Sequence, residues 1–478
     1  MMLKKILIST IATVSTVMYC KAGILDNPDF PWFGNPKETN MTRKIAHKMR
    51  LGIWIQGRYA HIQQPDTIKI FNGADVKTNG TIDNFYIRRL RFLFIGKFLD
   101  NWRFTIHTGL APVGKYKTDD KKLRIFDAFV AYTKWKYATF LIGREKIFFG
   151  RPFSERLPYW HNIVFPLAEK SMFLGLAGVL KELYPDIAFK LMAGAPLPFA
   201  YRIDQAPGAR APGVVMQGFL ANGHFDYKIG LYNAWRDGLR GITNSDGAGY
   251  PEFLKLVRVQ YNIWPEANPK LLGYKGNHFG RGKHFTIGAS YYSQNDIIQK
   301  REFKDPATPV YGNLYSAKYD AEGYTVDFSG HKGAFTWRGE YMNVKNKNIQ
   351  IFNSISPIAG TIPPPFRDGA KKDLELKAWW LQFAYLFPKK VLFGRPEIAV
   401  MYEYFDPDAQ GNYRPKFDSD GNLIKGGSDV WKLFHITLNY YFYQEFAKFS
   451  IEYIKVKEKY QDHKNDQILA QLVFAFFP

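Results

Sequence analysis

The sequence predicts an all-β chain, a transmembrane antiparallel β-barrel of sixteen to eighteen strands with an inward-folded third outer loop. Three observations carry that expectation. Aromatic residues make up 17% of the 478 positions, with 40 Phe and 30 Tyr, yet the mean hydropathy is −0.29, that of a polar protein. Apolar and polar residues alternate with a period of two in segment after segment. Tight connections mostly alternate with long ones. A strand with one face in lipid and the other in water has this composition and this period, whereas a helical membrane protein shows apolar spans of about 20 residues.

The elements follow in order. Lys4 and Lys5, the apolar run from Ile6 to Met18 and the triplet Cys20-Lys21-Ala22 read as a signal peptide over residues 1–22, cut before Gly23. Tyr19 is too bulky for a lipoprotein box around Cys20. Cys20 is the single cysteine, so the mature chain is expected to hold no disulfide and no thiolate metal site. Removing Lys4, Lys5 and Lys21 with no acid takes the formal charge from +22 to +19. Such a balance implies anionic partners; for a secreted chain these are lipopolysaccharide phosphates and anionic solutes rather than nucleic acid. Residues 23–47 carry Pro and Asn without a period and read as a periplasmic lead-in, and residues 48–478 as the outer-membrane barrel.

Within the barrel, Leu51, Ile53, Ile55 and Tyr59 share one face, and Arg50, Trp54, Gln56 and Arg58 the other. The same division separates Val257, Val259 and Tyr261 from Arg258, Gln260 and Asn262. Eighteen candidate strands emerge, near 48–60, 83–96, 102–111, 123–134, 137–146, 173–183, 186–195, 214–221, 224–233, 251–264, 284–293, 322–330, 333–343, 376–387, 396–405, 429–442, 446–457 and 467–477. Asn222-Gly223, Tyr184-Pro185 and Gly330–Gly333 mark tight turns, while 61–82, 196–213, 294–321, 344–375 and 406–428 read as long outer loops. The stretch 265–283 is long on the short-turn side, which means either an unusual turn or a missed strand pair.

Several blocks, taken in sequence, resemble the phosphate-selective porin O and P family. They are Phe85–Arg91, Trp102-Arg-Phe104, Asp127–Tyr132, Gly143-Arg-Glu-Lys-Ile-Phe-Phe-Gly150, Glu169-Lys-Ser171, Phe225–Asn233, Gly339-Glu-Tyr341 and Leu438–Tyr441. The resemblance spans roughly residues 48 to 477. It implies sixteen strands, a homotrimer and a pore constricted by the third outer loop. Phe148 departs from the Pro usual in that family, and Pro478 follows the terminal aromatic Phe477. Residues 173–195 look like an added hairpin, placed either in the wall or in the third loop.

Basic groups on the polar face form the candidate anion pathway: Arg50, Arg58, Arg89, Arg91, Arg103 and Arg258, with His107 beside them. Guanidinium groups stay charged and bind oxyanions bidentately, so a row of them passes an anion along a wall. The competing reading pairs them with the inward acids Asp127, Asp226, Asp327, Glu340, Glu403 and Glu452. Arg88 lies between two arginines that need the same face, so the facing of Arg89 and Arg91 is open. On the third loop, Arg151, Arg156 and Lys170 are the candidate constriction residues, or else partners of Glu155 and Glu169.

No phosphate loop, zinc motif or nucleophile elbow is present, and His61, His107, His161 and His435 carry no local Ser or Asp signature. The expectation is therefore a cofactor-free, non-enzymatic outer-membrane porin passing small hydrophilic solutes, with phosphate-like oxyanions favoured. A general diffusion porin and an adhesin or structural barrel are the alternatives.

Overall fold

The computed structural model describes residues 49–64, 66–69, 75–77, 80–110, 123–135, 137–154, 161–167, 170, 209–233, 252–264, 279–304, 311–352, 372–410, 415–417, 423–425, 430–444, 446–458 and 465–476. The expected signal peptide and lead-in, Arg156 and the hairpin at 173–195 lie outside these residues.

The strands are β1 (Met49–Ile62), β2 (Thr67–Lys69), β3 (Asp75–Lys77), β4 (Ile82–Leu99), β5 (Trp102–Leu110), β6 (Arg124–Tyr132), β7 (Thr139–Lys146), β8 (Arg210–Leu220), β9 (Phe225–Tyr232) and β10 (Leu254–Trp264). Then come β11 (Lys283–Lys304), β12 (Tyr311–Lys332), β13 (Phe335–Phe352), β14 (Lys372–Leu386), β15 (Arg395–Asp406), β16 (Pro415–Phe417), β17 (Leu423–Lys425), β18 (Trp431–Tyr443), β19 (Ala447–Glu458) and β20 (Gln467–Phe476). β2–β3 and β16–β17 are small separate hairpins, and the other sixteen strands close into one barrel. Closure runs antiparallel between β1 and β20, from Ile53 opposite Phe476 to Ile62 opposite Gln467. Closing the sheet leaves no edge with unpaired backbone groups, which a hydrocarbon environment does not tolerate.

Sixteen strands, not eighteen, make the wall. β7 and β8 pair directly, from Thr139 opposite Gln217 to Lys146 opposite Arg210, so nothing from 173–195 is inserted between them. β10 and β11 also pair directly, so no missed strand pair stands between them in the wall; residues 265–278 lie outside the described residues. Tight turns fall where turn residues require them: Asn222 and Gly223 take positive φ between β8 and β9, and Gly333 does so between β12 and β13.

The outward face is apolar through the middle of the strands, with Phe85, Ile142, Val214, Val259, Val326 and Leu381 exposed. Aromatic pairs gather near the short turns, as in Trp102–Tyr132 at 5.0 Å and Phe335–Tyr385 at 4.8 Å. A second level holds Tyr324–Tyr341 and Trp379–Tyr404. An apolar band with aromatic girdles is the exterior of a lipid-embedded barrel.

β11, β12 and β13 run well past their expected ends, and parts of 294–321 and 344–375 read as loops are strand. The reason is an inverted pattern. Above the aromatic level the outer face carries ion pairs, Lys318–Asp296 at 2.7 Å, Lys347–Glu322 at 2.6 Å and Lys345–Asp373 at 2.8 Å. The inner face there buries Ile297, Tyr319, Val344 and Leu374. The face that meets lipid lower down meets water here, so its polarity reverses along one strand.

A buried apolar cluster lies inside the barrel. The chain leaving β7 lays Phe148 against Tyr232 at 6.0 Å and Phe149 against Tyr292 at 4.7 Å between ring centroids. The inner wall makes room with glycine: a Cβ at Gly230 would come within 3.3 Å of Phe148, and one at Gly323 within 3.1 Å of Phe149. Phe148, the departure from the family pattern, is thus an inward anchor.

Candidate functional site in the barrel lumen

Alternation alone fails at Arg88, and the register shows why. β1 and β4 pair Gln56 with Arg89 and then Gly57 with Ile87, leaving Arg88 as the extra residue of a β-bulge. The bulge resets the parity of β4. Phe85 and Ile87 face outward on one side of it, while Arg89 and Arg91 face inward on the other, at 9% and 8% exposure. A second bulge places Phe126 of β6 outside the β5–β6 pairing, between Ile125 and Asp127. Arg91 stacks its guanidinium 3.4 Å from the centre of the Phe126 ring.

The resulting wall is rich in guanidinium and poor in carboxylate. Arg58 donates to Gln471 Oε1 at 2.6 Å and to the Ile163 carbonyl at 3.1 Å. Arg89 donates to Gln56 Oε1 at 2.6 Å and stands over the Trp54 ring at 5.3 Å. Arg91 reaches the Leu110 carbonyl at 3.4 Å. Arg210 of β8, which the sequence reading left outside its strand, donates to Asp127 at 2.7 Å, and Asp127 also meets His107 Nδ1 at 2.7 Å. Among the described residues these four cations therefore share one bonded acid. Burying a charge beside only neutral partners costs several kcal/mol, so among the described residues this wall carries an excess of positive charge. The Trp54 indole N–H, buried on the same face, has no hydrogen-bond partner among the described residues; sequence alone gave no signal for it.

Arg50 and Arg103 are exposed near the short-turn ends of β1 and β5. Arg258 faces inward as expected but is neutralised, bonding Asp327 at 2.7 and 3.0 Å and Ser290 at 2.9 Å.

The loop after β7 crosses to that same acid. Gly143 adopts φ +133°, and a Cβ there would lie 2.3 Å from the Ala128 carbonyl oxygen. Gly150 adopts φ +83°, and a Cβ there would lie 2.7 Å from Glu340 Oε1. Both ends of the Gly143–Gly150 block thus need a residue without a side chain. The close approach lets the Arg151 N–H donate to Glu340 Oε2 at 2.6 Å. The Arg151 side chain, fully buried, reaches Asp327 at 3.3 Å, Thr286 at 3.1 Å and Gln260 at 3.3 Å. Asp327 is thus a wall partner of this loop residue, while the loop acids Glu155 and Glu169 lie outside the described residues. Lys170 is half-buried, and its backbone N–H donates to the Pro166 carbonyl at 3.0 Å.

Residues 161–167 seat on a third set of strands. Glu452 accepts the N–H groups of Ile163 at 2.7 Å and Val164 at 3.1 Å, and Glu403 accepts that of Leu167 at 2.6 Å. His161 Nδ1 lies 2.8 Å from Glu397, and Asn162 bonds Thr437, Glu452 and Gln382. His435 sits between two acids, with Nε2 2.8 Å from Glu403 and Nδ1 2.8 Å from Glu452. His161 and His435 looked scattered in sequence because their partners lie far along the chain. Among the described residues no group of three or more His, Cys, Asp or Glu is placed to hold a metal ion.

The class is now defined: a closed, sixteen-stranded transmembrane β-barrel of the Gram-negative outer membrane, with a polar, charged interior. Residues 68–153 match the family model for phosphate-selective porin O and P, and the chain resembles that family. Among curated proteins none matches. Similar solved structures include the outer-membrane channel DcaP of Acinetobacter baumannii, with 13% identity over 90% of this chain and 97% of that one and a TM-score of 0.47. The anion-selective porin from Comamonas acidovorans shares 12% identity over 90% and 99%, with a TM-score of 0.43. The OmpTdeltaL8 loop-deletion mutant of OmpT, from Vibrio cholerae, shares 10% over 89% and 99%, with a TM-score of 0.44. Likenesses this distant carry no argument about what passes through this barrel.

Proposed function

We propose that the chain is a passive diffusion channel for small hydrophilic solutes that favours oxyanions. The observation that supports it best is the inner wall of β1, β4 and β8, where Arg58, Arg89 and Arg91 are buried and their hydrogen-bond partners among the described residues are all neutral. A solute anion supplies the charge that wall lacks, and charged walls set pore selectivity. The acceptor it needs is one that guanidinium forks and an indole N–H can all serve, which phosphate and carboxylate oxygens are. The loop after β7, fixed to the wall through Arg151 and residues 161–167, narrows the passage in this reading. The signal peptide at 1–22 and assembly as a homotrimer belong to the same proposal and draw on the sequence pattern and the family resemblance.

A general diffusion porin is the second reading. It draws on Glu397, Glu403 and Glu452, which set an acidic wall against the basic one. Reversal potentials in planar bilayers under a potassium chloride gradient separate the two. Chloride preference is expected; an unselective channel favours the second reading, and potassium preference overturns the first.

A further inference from the structure

We infer that His284 and His331 form a binding site for a divalent transition-metal ion of the zinc, copper or nickel type, at the short-turn end of the lumen. The two are directly opposed on β11 and β12, face inward and are 1% and 2% exposed. Their Nδ1 atoms stand 3.3 Å apart. Two imidazole nitrogens at 2.0–2.1 Å from a tetrahedral ion are separated by about 3.3–3.4 Å, so the rings already hold the ligand spacing.

The outer nitrogens are occupied in the manner of metal ligands. His331 Nε2 lies 2.8 Å from the Arg281 carbonyl. A carbonyl only accepts, so that nitrogen carries the proton and Nδ1 presents its lone pair. His284 Nε2 lies 3.5 Å from Thr286 Oγ1. Such outer bonds fix ring orientation around a bound metal. Without metal, the proton between the two Nδ1 atoms belongs to a neutral His284; the ion takes its place and the proton is re-sited through solvent on His284 Nε2, beside Thr286, so that both ligands stay neutral imidazoles.

Arg338, buried on β13, is the nearby charge acting on His331. That charge opposes any divalent cation alike, and the choice of ion comes from the ligands: imidazole nitrogens suit borderline ions, whereas magnesium and calcium require oxygen ligands. Among the described residues these two histidines are the ligands the site offers.

Nothing local in sequence announces the pair, since the two residues are joined only by strand register. The site is independent of anion selectivity, and its test does not use it. Zinc chloride is titrated calorimetrically into the full folded chain in detergent, with magnesium chloride as the contrast. One zinc equivalent is expected at a dissociation constant on the order of micromolar, weakened roughly tenfold or more by His284→Ala and by His331→Ala. His284→Gln, which keeps a polar group of similar reach, serves if the alanine variant does not fold, as judged by heat-modifiable mobility in gels. Absence of micromolar zinc binding, binding unchanged in the histidine variants, or equal binding of magnesium overturns the site.

Discussion

Arg151, on the loop after β7, meets Asp327, on β12, at 3.3 Å with neither side chain exposed to solvent. Asp327 holds Arg258 as well, so one wall carboxylate ties a loop to the barrel and neutralises a strand cation. Removing one partner of a buried pair costs roughly 3–5 kcal/mol, because the other is left buried. The loss at Arg151 falls toward the low end, since Arg258 still faces Asp327. Arg151→Ala is expected to lower the thermal unfolding midpoint and raise single-channel conductance, with chloride preference little changed. A variant that loses selectivity at unchanged conductance places Arg151 on the solute path instead.

In the proposed function the basic wall is the selectivity element. Arg89→Gln together with Arg91→Gln keeps donors of similar length and removes both charges. The chloride-to-potassium permeability ratio is expected to fall severalfold. Lys345→Gln, on the outer face and paired with Asp373, is the control and is expected to leave the ratio unchanged, since exposed charges are screened within about 8–10 Å in physiological salt. Equal effects in the two variants remove the wall from the mechanism.

Trp54 separates a binding site from a diffuse field. Trp54→Phe keeps an aromatic ring under Arg89 and deletes the unpartnered N–H. A neutral hydrogen bond contributes about 0.5–1.5 kcal/mol, or roughly 2- to 13-fold in affinity. Block of chloride current by phosphate is expected to weaken by that factor while the chloride-to-potassium ratio holds. Unchanged phosphate block removes the indole from the site.

His435 stands between Glu403 and Glu452, both buried. His435→Ala leaves two carboxylates facing a gap and is expected to destabilise the barrel by about 3 kcal/mol or more. His435→Gln, which donates one hydrogen bond, recovers part of it. The readout is the temperature at which the folded gel band converts to the unfolded one. Identical conversion temperatures for alanine and wild type refute the role.

Much of the wall was legible because lipid on one side and water on the other write a two-residue period into each strand. Arg58, Arg258, Asp327, Glu403 and Glu452 were placed on the correct face by parity alone. Parity failed in two kinds of place. At Arg88 an added residue shifts the count, and nothing in Phe85–Arg91 distinguishes a bulge from a regular strand. In β11–β13 the period persists but its meaning reverses above the membrane, so Asp296, Lys318 and Lys345 look like loop residues. Pairings such as Arg151 with Asp327 or His161 with Glu397 join distant parts of the chain through the barrel interior. Sequence spacing holds no trace of them.

The segment that leaves β7 is fastened at Glu340 and Asp327, then at Glu397, Glu403 and Glu452, and Arg58 of β1 grips its Ile163 carbonyl. Mechanically it is a tie across a hoop. A closed ring of sixteen strands flattens easily toward an ellipse, since bending it breaks no hydrogen bond, but a strut pinned at several points of the circumference resists that mode. The roundness of the pore, and with it the steadiness of the current, is thus set by six side chains around the rim of the strut rather than by the sheet alone.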